Sequence, residues 1–473
     1  MKLVKLKDIT SKITKGTTPS KSDGGFSSIG VNYIKAESVS YEGRIDESKF
    51  AFITEAVHKK LKRSQLQEND ILFSMAGAFL GKTGFVMKHH IPANTNQALA
   101  LIRVKPEIAY PKFIHYYLQQ KSVVHFVNNA VSQSAQPNIN LQQIGDLDIC
   151  LLSLAQQQRV VEILDAIDNK ITLNHQINQT LEQMAQTLFK SWFVDFAPVI
   201  DNALDAGFFE KDLAFSEELL RRVEARKAVR ESDGFNPLSV DIRQLFPDEF
   251  EECAEPVLGL GGWVPKGWEV KMLGEITDEL RRGISPKYIE EGGVQVINQK
   301  CIRNHEISYE LTRRHNQEIR SISGRELKLG DVLVNSTGVG TLGRIAQVTS
   351  LPETTVVDSH VTVVRASDEM CPIFTFGQLM ISMEKNIERL GEGSTGQTEL
   401  SRKILSEQLV ILPLRNIADK AELSFKSFSE MQTANRNQNM ELTKLRDTLL
   451  PKLISGELSL SDIKIDNPEE TFI

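Results

Sequence analysis

The chain repeats itself at long range. Lys5-Leu6-Lys7-Asp8-Ile9 resembles Met272-Leu273-Gly274-Glu275-Ile276, and Lys15-Gly16-Thr17-Thr18-Pro19 resembles Arg282-Gly283-Ile284-Ser285-Pro286. Gly30-Val31 with Ile34 matches Gly293-Val294 with Ile297, and Asp70-Ile71-Leu72-Phe73 matches Asp331-Val332-Leu333-Val334. Glycine-rich loops follow both, Gly77 to Gly81 and Gly338 to Gly343. Further on, Leu101-Ile102-Arg103 pairs with Val363-Val364-Arg365, Ser134-Ala135-Gln136 with Thr395-Gly396-Gln397, and Thr187-Leu188 with Thr448-Leu449. The offset drifts only from 267 (Lys5 against Met272) to 261 (Thr187 against Thr448), as small loop deletions produce. Each match alone is weak, but their order and near-constant offset point to a tandem duplication, far longer than a solenoid repeat.

Each copy reads as a domain followed by a helix. Short apolar runs such as Ile71–Phe73, Ala98–Val104 and Val356–Val364 are punctuated by Gly, Pro, Asn and Ser, which predicts mixed strands with a few helices. Within these domains, residues 113–128 and 373–390 are the expected helices. The fold class expected is α+β: two mixed α/β domains, at 1–153 and 268–414, each followed by a long helix, at 154–196 and 415–458. Residues 197–267 form an unrepeated linker, charged and helical in pattern from Asn202 to Arg230, and 459–473 form a tail.

The helical segments carry a second pattern. From Val160 the apolar positions step four and three residues through Leu164, Ile167, Ile171, Asn174, Asn178, Leu181, Ala185, Leu188 and Trp192. The second copy gives Ala421, Phe425, Phe428, Gln432, Asn435, Asn439, Leu442, Arg446, Leu449 and Leu453. That is a heptad seam, with Asn174 and Asn178 recurring as Asn435 and Asn439 at the same register. A buried amide in a seam costs stability but fixes register and partner. The two helices are therefore expected to pair as an antiparallel coiled coil that holds the two domains apart.

Net charge is -7 and the sequence pI about 5.8, which argues against a nucleic-acid surface only if the charge is evenly spread. It is not. Residues 1–150 hold 19 Lys and Arg against 12 Asp and Glu, a net +7, whereas residues 151–267 hold 11 against 20, a net -9. Residues 268–414 hold 17 against 20, a net -3, with local basic groups at Arg281-Arg282, Arg313-Arg314 and Lys300 with Arg303. The first domain is basic, as contact with a phosphate backbone requires.

Several chemistries are poorly supported. Ala76-x4-Gly81-Lys82-Thr83 fits a relaxed phosphate-loop pattern, but Gly84-Phe85-Val86-Met87 reads as a strand where a phosphate loop needs a helix. The second copy, Gly343-Arg344-Ile345, lacks the Lys-Ser/Thr pair. No adenine-methylation motif, nuclease motif, G-x-S-x-G or H-E-x-x-H is present, and Cys150, Cys253, Cys301 and Cys371 lack zinc spacing. No catalytic constellation and no metal site is expected. Charges interrupt the N-terminus and no long uncharged apolar run occurs, so a cytoplasmic protein without a membrane span is expected.

Four stretches are more specific: Leu188-Phe189-Lys190-Ser191-Trp192-Phe193-Val194-Asp195-Phe196, Leu450-Pro451-Lys452-Leu453-Ile454-Ser455-Gly456-Glu457-Leu458, Leu245-Phe246-Pro247-Asp248 and Gly262-Trp263-Val264-Pro265-Lys266-Gly267-Trp268. With the Lys15–Pro19 and Arg282–Pro286 turns, they give a chain that resembles the specificity subunits of type I restriction–modification systems over nearly its full length. The resemblance implies two target-recognition domains, each reading one half of a split, asymmetric DNA site, and spacer helices that set the gap. It implies two methyltransferase (modification) subunits docked near the spacers and two motor–nuclease (restriction) subunits. S-adenosylmethionine, ATP and Mg²⁺ would belong to those partners, leaving this chain a non-catalytic, DNA-binding subunit of an adenine-methylating complex. The expected DNA contacts are Lys15, Thr17, Thr18, Ser20, Lys21 and Lys82 in the first domain and Arg281, Arg282, Ser285, Lys287 and Arg344 in the second. Gly16, Pro19, Gly283 and Pro286 are expected to shape the turns. The alternatives are a stand-alone DNA-binding scaffold and a phosphate-loop NTP-binding enzyme using Lys82.

Overall fold

A computed structural model of the chain describes residues 2–77, 80–130, 138–391 and 399–458. It divides into two compact units: residues 1–173 with 438–473, and residues 174–437. The two long helices, Leu154–Phe189 and Arg415–Ile454, each contribute one part to one unit and the rest to the other.

In the first unit, strand Lys2–Lys5 pairs antiparallel with Asp148–Leu151 and so closes the domain end to end. The main sheet is antiparallel, in the order Thr10–Lys15, Leu99–Val104, Ile71–Ser74, Thr83–Phe85. A smaller sheet sets Val31–Ile34 between Ala51–Ile53 (antiparallel) and Ala93–Thr95 (parallel). Ile71, Phe73, Ala100 and Ile102 from the main sheet pack with Phe113 and Tyr116, with Val160 and Leu164 of the first long helix, and with Leu450, Leu453 and Ile454 of the second. The segment 450–458 is thus a packing motif of this core.

In the second unit the same order recurs in the matched segments. Glu269–Met272 pairs with Leu409–Leu412, and the main sheet runs Thr277–Arg282, Val361–Ala366, Val332–Asn335, Ile345–Gln347. The smaller sheet places Val294–Ile297 between Arg313–His315 and the parallel Thr355–Val357, with Tyr288–Ile289 at its edge.

The recurring Asp and Arg have a shared physical task. Arg103 Nε and Nη2 each donate to an Asp70 carboxylate oxygen at 2.7 Å, and Arg365 makes the same fork on Asp331 at 2.6 and 2.8 Å. Both aspartates are fully buried, and each also accepts a backbone N–H, from Gln67 and from Lys328, at 2.7 Å. Burying a carboxylate is tolerated because three donors, two of them from a guanidinium, reach its two oxygens.

Each helix expected inside a domain is two helices. Residues 113–128 fall in Pro111–Gln119 and Lys121–Ala130, separated where Gln120 turns to ψ 136° and bonds back to the Tyr117 carbonyl through its backbone and its amide. Residues 373–390 fall in Ile373–Ser382 and Glu384–Arg389, parted at Met383.

The stretch read as a linker is a packed subdomain. Helices Ala197–Asp205 and Glu217–Arg230 and a hairpin, Phe250–Glu252 with Trp263–Pro265, surround an aromatic cluster of Trp192, Phe193, Phe196, Phe208, Phe246, Phe250, Trp263 and Trp268. The charged run from Asn202 to Arg230 is not one helix, because Gly207 takes a left-handed φ of +69° and ends the first turn of chain there. Asp201, buried, holds Arg226 at 2.5 Å, so part of the acidity of this region is spent on internal pairs.

Val160, Leu164, Ile167, Ile171, Asn174, Asn178, Leu181, Ala185 and Trp192 are all buried. Within the first unit, Arg446 Nη1 donates to Asp168 (2.9 Å) and Asn439 Nδ2 to the Ile171 carbonyl (3.4 Å), so rising numbers on one helix meet falling numbers on the other. Within the second unit, Asn178 and Gln432 exchange side-chain to backbone bonds at 3.1 Å, and Asn435 Nδ2 donates to Asn178 Oδ1 at 2.8 Å. The α-helix of the first long segment stops at Phe189. A π-turn, Lys190–Val194, and a left-handed Phe196 (φ +49°) then swing the chain into the aromatic cluster, short of a straight helix to 196.

Candidate nucleic-acid interface

The turn after the first strand of each main sheet is built by close packing of backbone on backbone. Gly16 N donates to Leu99 O (3.1 Å) and Thr17 N to Thr95 O (2.9 Å). A Cβ on Gly16 would lie 2.2 Å from the carbonyl oxygens of Thr95 and Asn96, and one on Gly283 would lie 2.1 Å from Asp358 O and 2.2 Å from Val357 O. No side chain fits at either position, which is why glycine recurs there. Beneath the first turn, Tyr33 donates its hydroxyl to Thr17 O at 2.9 Å. Its burial pushes the phenol up to about 12, so it remains a donor.

On this base Lys15, Thr18 and Lys21 stand exposed. Thr17 is half-buried and its hydroxyl accepts from Arg63 Nη2 at 3.3 Å, with Gly16 O at 3.4 Å from the same atom. Ser20 is committed locally: its hydroxyl lies 2.5 Å from Asp23 Oδ2 and accepts from Asp23 N, capping the short turn Lys21–Asp23. Lys82 is half-buried with its ammonium 4.9 Å from the Tyr41 ring centroid, and the segment after it is the strand Thr83–Phe85, not a helix.

The bonds from Arg63 bring a basic group to this turn that the repeat does not mark. Lys59, Lys60, Lys62 and Arg63, at the end of helix Glu55–Lys60 and the turn Lys62–Ser64, are all exposed. The signal is in the sequence, four cations in five positions, but this run occurs in one copy only.

In the second unit Ser285 and Lys287 are exposed beside Arg320, whose Nη1 donates to Ser285 O at 3.0 Å. One expected contact is corrected, and two are engaged within the domain. Arg281 is buried and ion-paired to Glu279, since successive residues of a strand face opposite sides and Arg281 faces inward. Arg282 braces the domain, donating to Ser359 O (3.2 Å), Leu400 O (2.8 Å) and Glu399 (2.9 Å). Arg344 is half-buried and closes its own glycine loop on Gly340 O at 2.8 Å. The paired loops at Gln136 and Gln397 lie outside the described residues.

Among the described residues one trio, Glu47, His89 and His90, brings three possible metal-ligand atoms within 4.8 Å of one another. Its bonding opposes a metal. His90 Nδ1 accepts the Met87 N–H at 3.0 Å, which leaves the proton of the neutral ring on Nε2, the nitrogen that faces Glu47. A ligating imidazole needs that nitrogen bare and the other one donating. None of the cysteines is disulfide-bonded, and no helix among the described residues is long and apolar enough to cross a membrane.

Residues 1–183 match the family model of the type I restriction modification DNA specificity domain. The HindI type I restriction enzyme specificity subunit of Haemophilus influenzae is 26% identical over 416 residues, covering 84% of this chain and 88% of that protein. The MjaIX specificity subunit of Methanocaldococcus jannaschii is 22% identical over 392 residues, covering 80% of this chain and 76% of its own. The crystal structure of a type I restriction–modification S subunit from M. genitalium aligns over 96% of this chain and 95% of its own, at 14% identity and a TM-score of 0.51, a likeness of fold. Over residues 1–183 the chain thus matches a type I restriction modification DNA specificity domain, and over most of its length it is similar to type I restriction enzyme specificity subunits.

Proposed function

We propose that this chain is the DNA-reading subunit of a type I complex, with residues 1–153 and 268–414 each reading one half of a split, asymmetric duplex site. The observation that carries the reading is the recurring turn. In both domains a glycine pressed against backbone carbonyls lets the chain leave the sheet and present exposed polar and basic side chains, Lys15, Thr18 and Lys21 in one, Ser285 and Lys287 in the other. Lysines and arginines there hold phosphates, while neighbouring side chains meet base edges. The basic run at Lys59–Arg63 adds phosphate contacts to the first half-site, and Arg320 serves the second.

The two long helices act as an antiparallel coiled coil of fixed register, the product of a tandem duplication, and set the gap between half-sites. Two modification subunits dock at the spacer and two restriction subunits complete the assembly. Those partners carry S-adenosylmethionine, ATP and Mg²⁺ and extrude the target adenine for methylation. This chain binds none of them and performs no chemistry in the cytoplasm where the complex works. Co-expression with the modification subunit and mapping of methylated adenines tests the reading. One split motif with a fixed gap is expected; methylation scattered without a motif contradicts it.

A further inference from the structure

A hairpin of the second domain carries an unusual turn. Strands Ile302–Arg303 and Glu306–Ile307 are joined by Asn304 and His305, with φ of +51° and +59°. A two-residue turn with both φ positive favours Asn-Gly. Histidine replaces the favoured glycine at the second position, which turns its side chain toward the elements packed on the hairpin. The His305 ring is held between two carboxylates. Nδ1 lies 3.1 Å from Glu182 on the first long helix and Nε2 lies 3.0 Å from Glu384 on the helix Glu384–Arg389. Two carboxylate acceptors require both ring nitrogens to donate, which only the imidazolium can do.

The surroundings fit a cation. Glu182 also accepts from Gln186 at 2.8 Å and lies 3.5 Å from Gln432 of the second long helix, while Glu384 accepts the Ile345 N–H at 3.0 Å and faces Arg344. The neighbouring Glu306 pairs with Arg436 of the second long helix at 3.1 Å, and Arg436 also donates to Thr349 at 3.0 Å. Consecutive residues of one hairpin thus engage both helices. The two carboxylates raise the imidazole from 6.5 to about 9, against its burial, so it is charged at neutral pH.

We propose that His305 is a positioning residue: its imidazolium bolts the second recognition domain onto the paired helices, and loss of that charge frees the domain's setting and relaxes how strictly the half-site gap is read. The proposal rests on the DNA-reading function for its consequence, but the bolt itself can be observed without DNA.

The test uses the complex assembled with its modification subunits. Relative affinity for the methylated split site and for the same site with one base pair added to the gap is measured from pH 7 to 9.5, for wild type, His305→Gln, His305→Arg and Glu182→Gln. Wild type is expected to lose at least tenfold in gap discrimination as pH rises through about 9. His305→Gln shows the relaxed value at every pH, and His305→Arg, which stays charged, restores discrimination and flattens the profile. Glu182→Gln moves the midpoint to lower pH. Wild-type discrimination in His305→Gln, or an identical pH profile in His305→Arg, overturns the proposal. In parallel, the His305 ring is titrated by NMR in the free chain. A midpoint near 6.5 overturns the bolt whatever the complex does. A raised midpoint with no sequence-specific DNA binding contradicts the DNA-reading function instead.

Discussion

The two domains share a strand order but fasten to the long helices by different chemistry. In the first unit Tyr116 donates its hydroxyl between Asp165 and Asp168 at 2.7 Å each, Lys112 pairs with Asp165 at 2.8 Å, and Arg446 of the second long helix closes on Asp168. The Tyr116 phenol is pushed up by burial first and then by the two aspartates, so it stays a donor. In the second unit helix Ile373–Ser382 is held by Glu422 of the second long helix, which accepts the N–H groups of Phe374 (3.0 Å) and Thr375 (2.7 Å), and the hairpin at 302–307 adds a second fastening through His305, whose charge is lost as pH rises through about 9. The surfaces differ in parallel. The first domain is basic and presents Lys15 and Lys21 exposed, while in the second Arg281 is buried against Glu279 and Arg282 is engaged by Glu399 and backbone carbonyls. The two domains thus share buried packing and close backbone approaches but differ in surface charge and in how they are fastened.

The largest test of what the copies share is steric. Gly16→Val and Gly283→Val each force a Cβ into carbonyl oxygens and are expected to cost at least about 3 kcal/mol, read as a fall in denaturation midpoint. A cost in one domain only would break the equivalence of the two turns. The buried forks come next. Asp70→Ala leaves the half-buried Arg103 without its carboxylate and is expected to cost about 1–3 kcal/mol, whereas in Asp331→Ala Arg365 keeps Glu279 at 2.7 Å and the loss is expected to be smaller.

The clamps are where the copies should part. Tyr116→Phe removes a hydroxyl with two carboxylate acceptors and is expected to cost about 1–3 kcal/mol at any pH from 6 to 9. The His305 clamp follows the opposite rule. Its folded pKa is raised above the unfolded 6.5, so its contribution is complete below pH 6.5 and drains away as pH rises through about 9. The gap between those values limits it to about 3 kcal/mol. Hydrogen exchange of residues 302–307 against pH should show the loss, with no equivalent change at residues 112–119.

The smallest expected effects are the sharpest on DNA. Replacing Lys59, Lys60 and Lys62 by Ala, or Lys15 and Lys21, should reduce the slope of log K against log salt by about 1 per cation. Arg281→Ala should leave that slope unchanged, because the side chain is buried.

Much of this architecture is legible in the residues themselves. The 3.5-residue period from Val160 to Trp192 names the buried face of the first long helix. The recurrence of Gly16 as Gly283, and of Asp70 with Arg103 as Asp331 with Arg365, marks places where the physics allows one residue type. What escaped has identifiable causes. The helix breaks at Gln120 and Met383 carry no Gly or Pro, so the local pattern runs straight through them. The aromatic subdomain joins residues from Trp192 to Trp268 that show no periodicity until the chain folds back on itself. Arg281 and Arg282 read as one basic cluster, although strand alternation turns one of them inward. The Lys59–Arg63 run lies off the repeat, and a repeat points only to what occurs twice.

The measurement that bears most directly on the central claim is a domain exchange. The complex carrying residues 1–153 from a specificity subunit of different target would be expressed with its modification subunit, and its methylated adenines mapped. A new sequence is expected in one half of the split motif, with the other half and the gap unchanged. A change in both halves, or in neither, would contradict it.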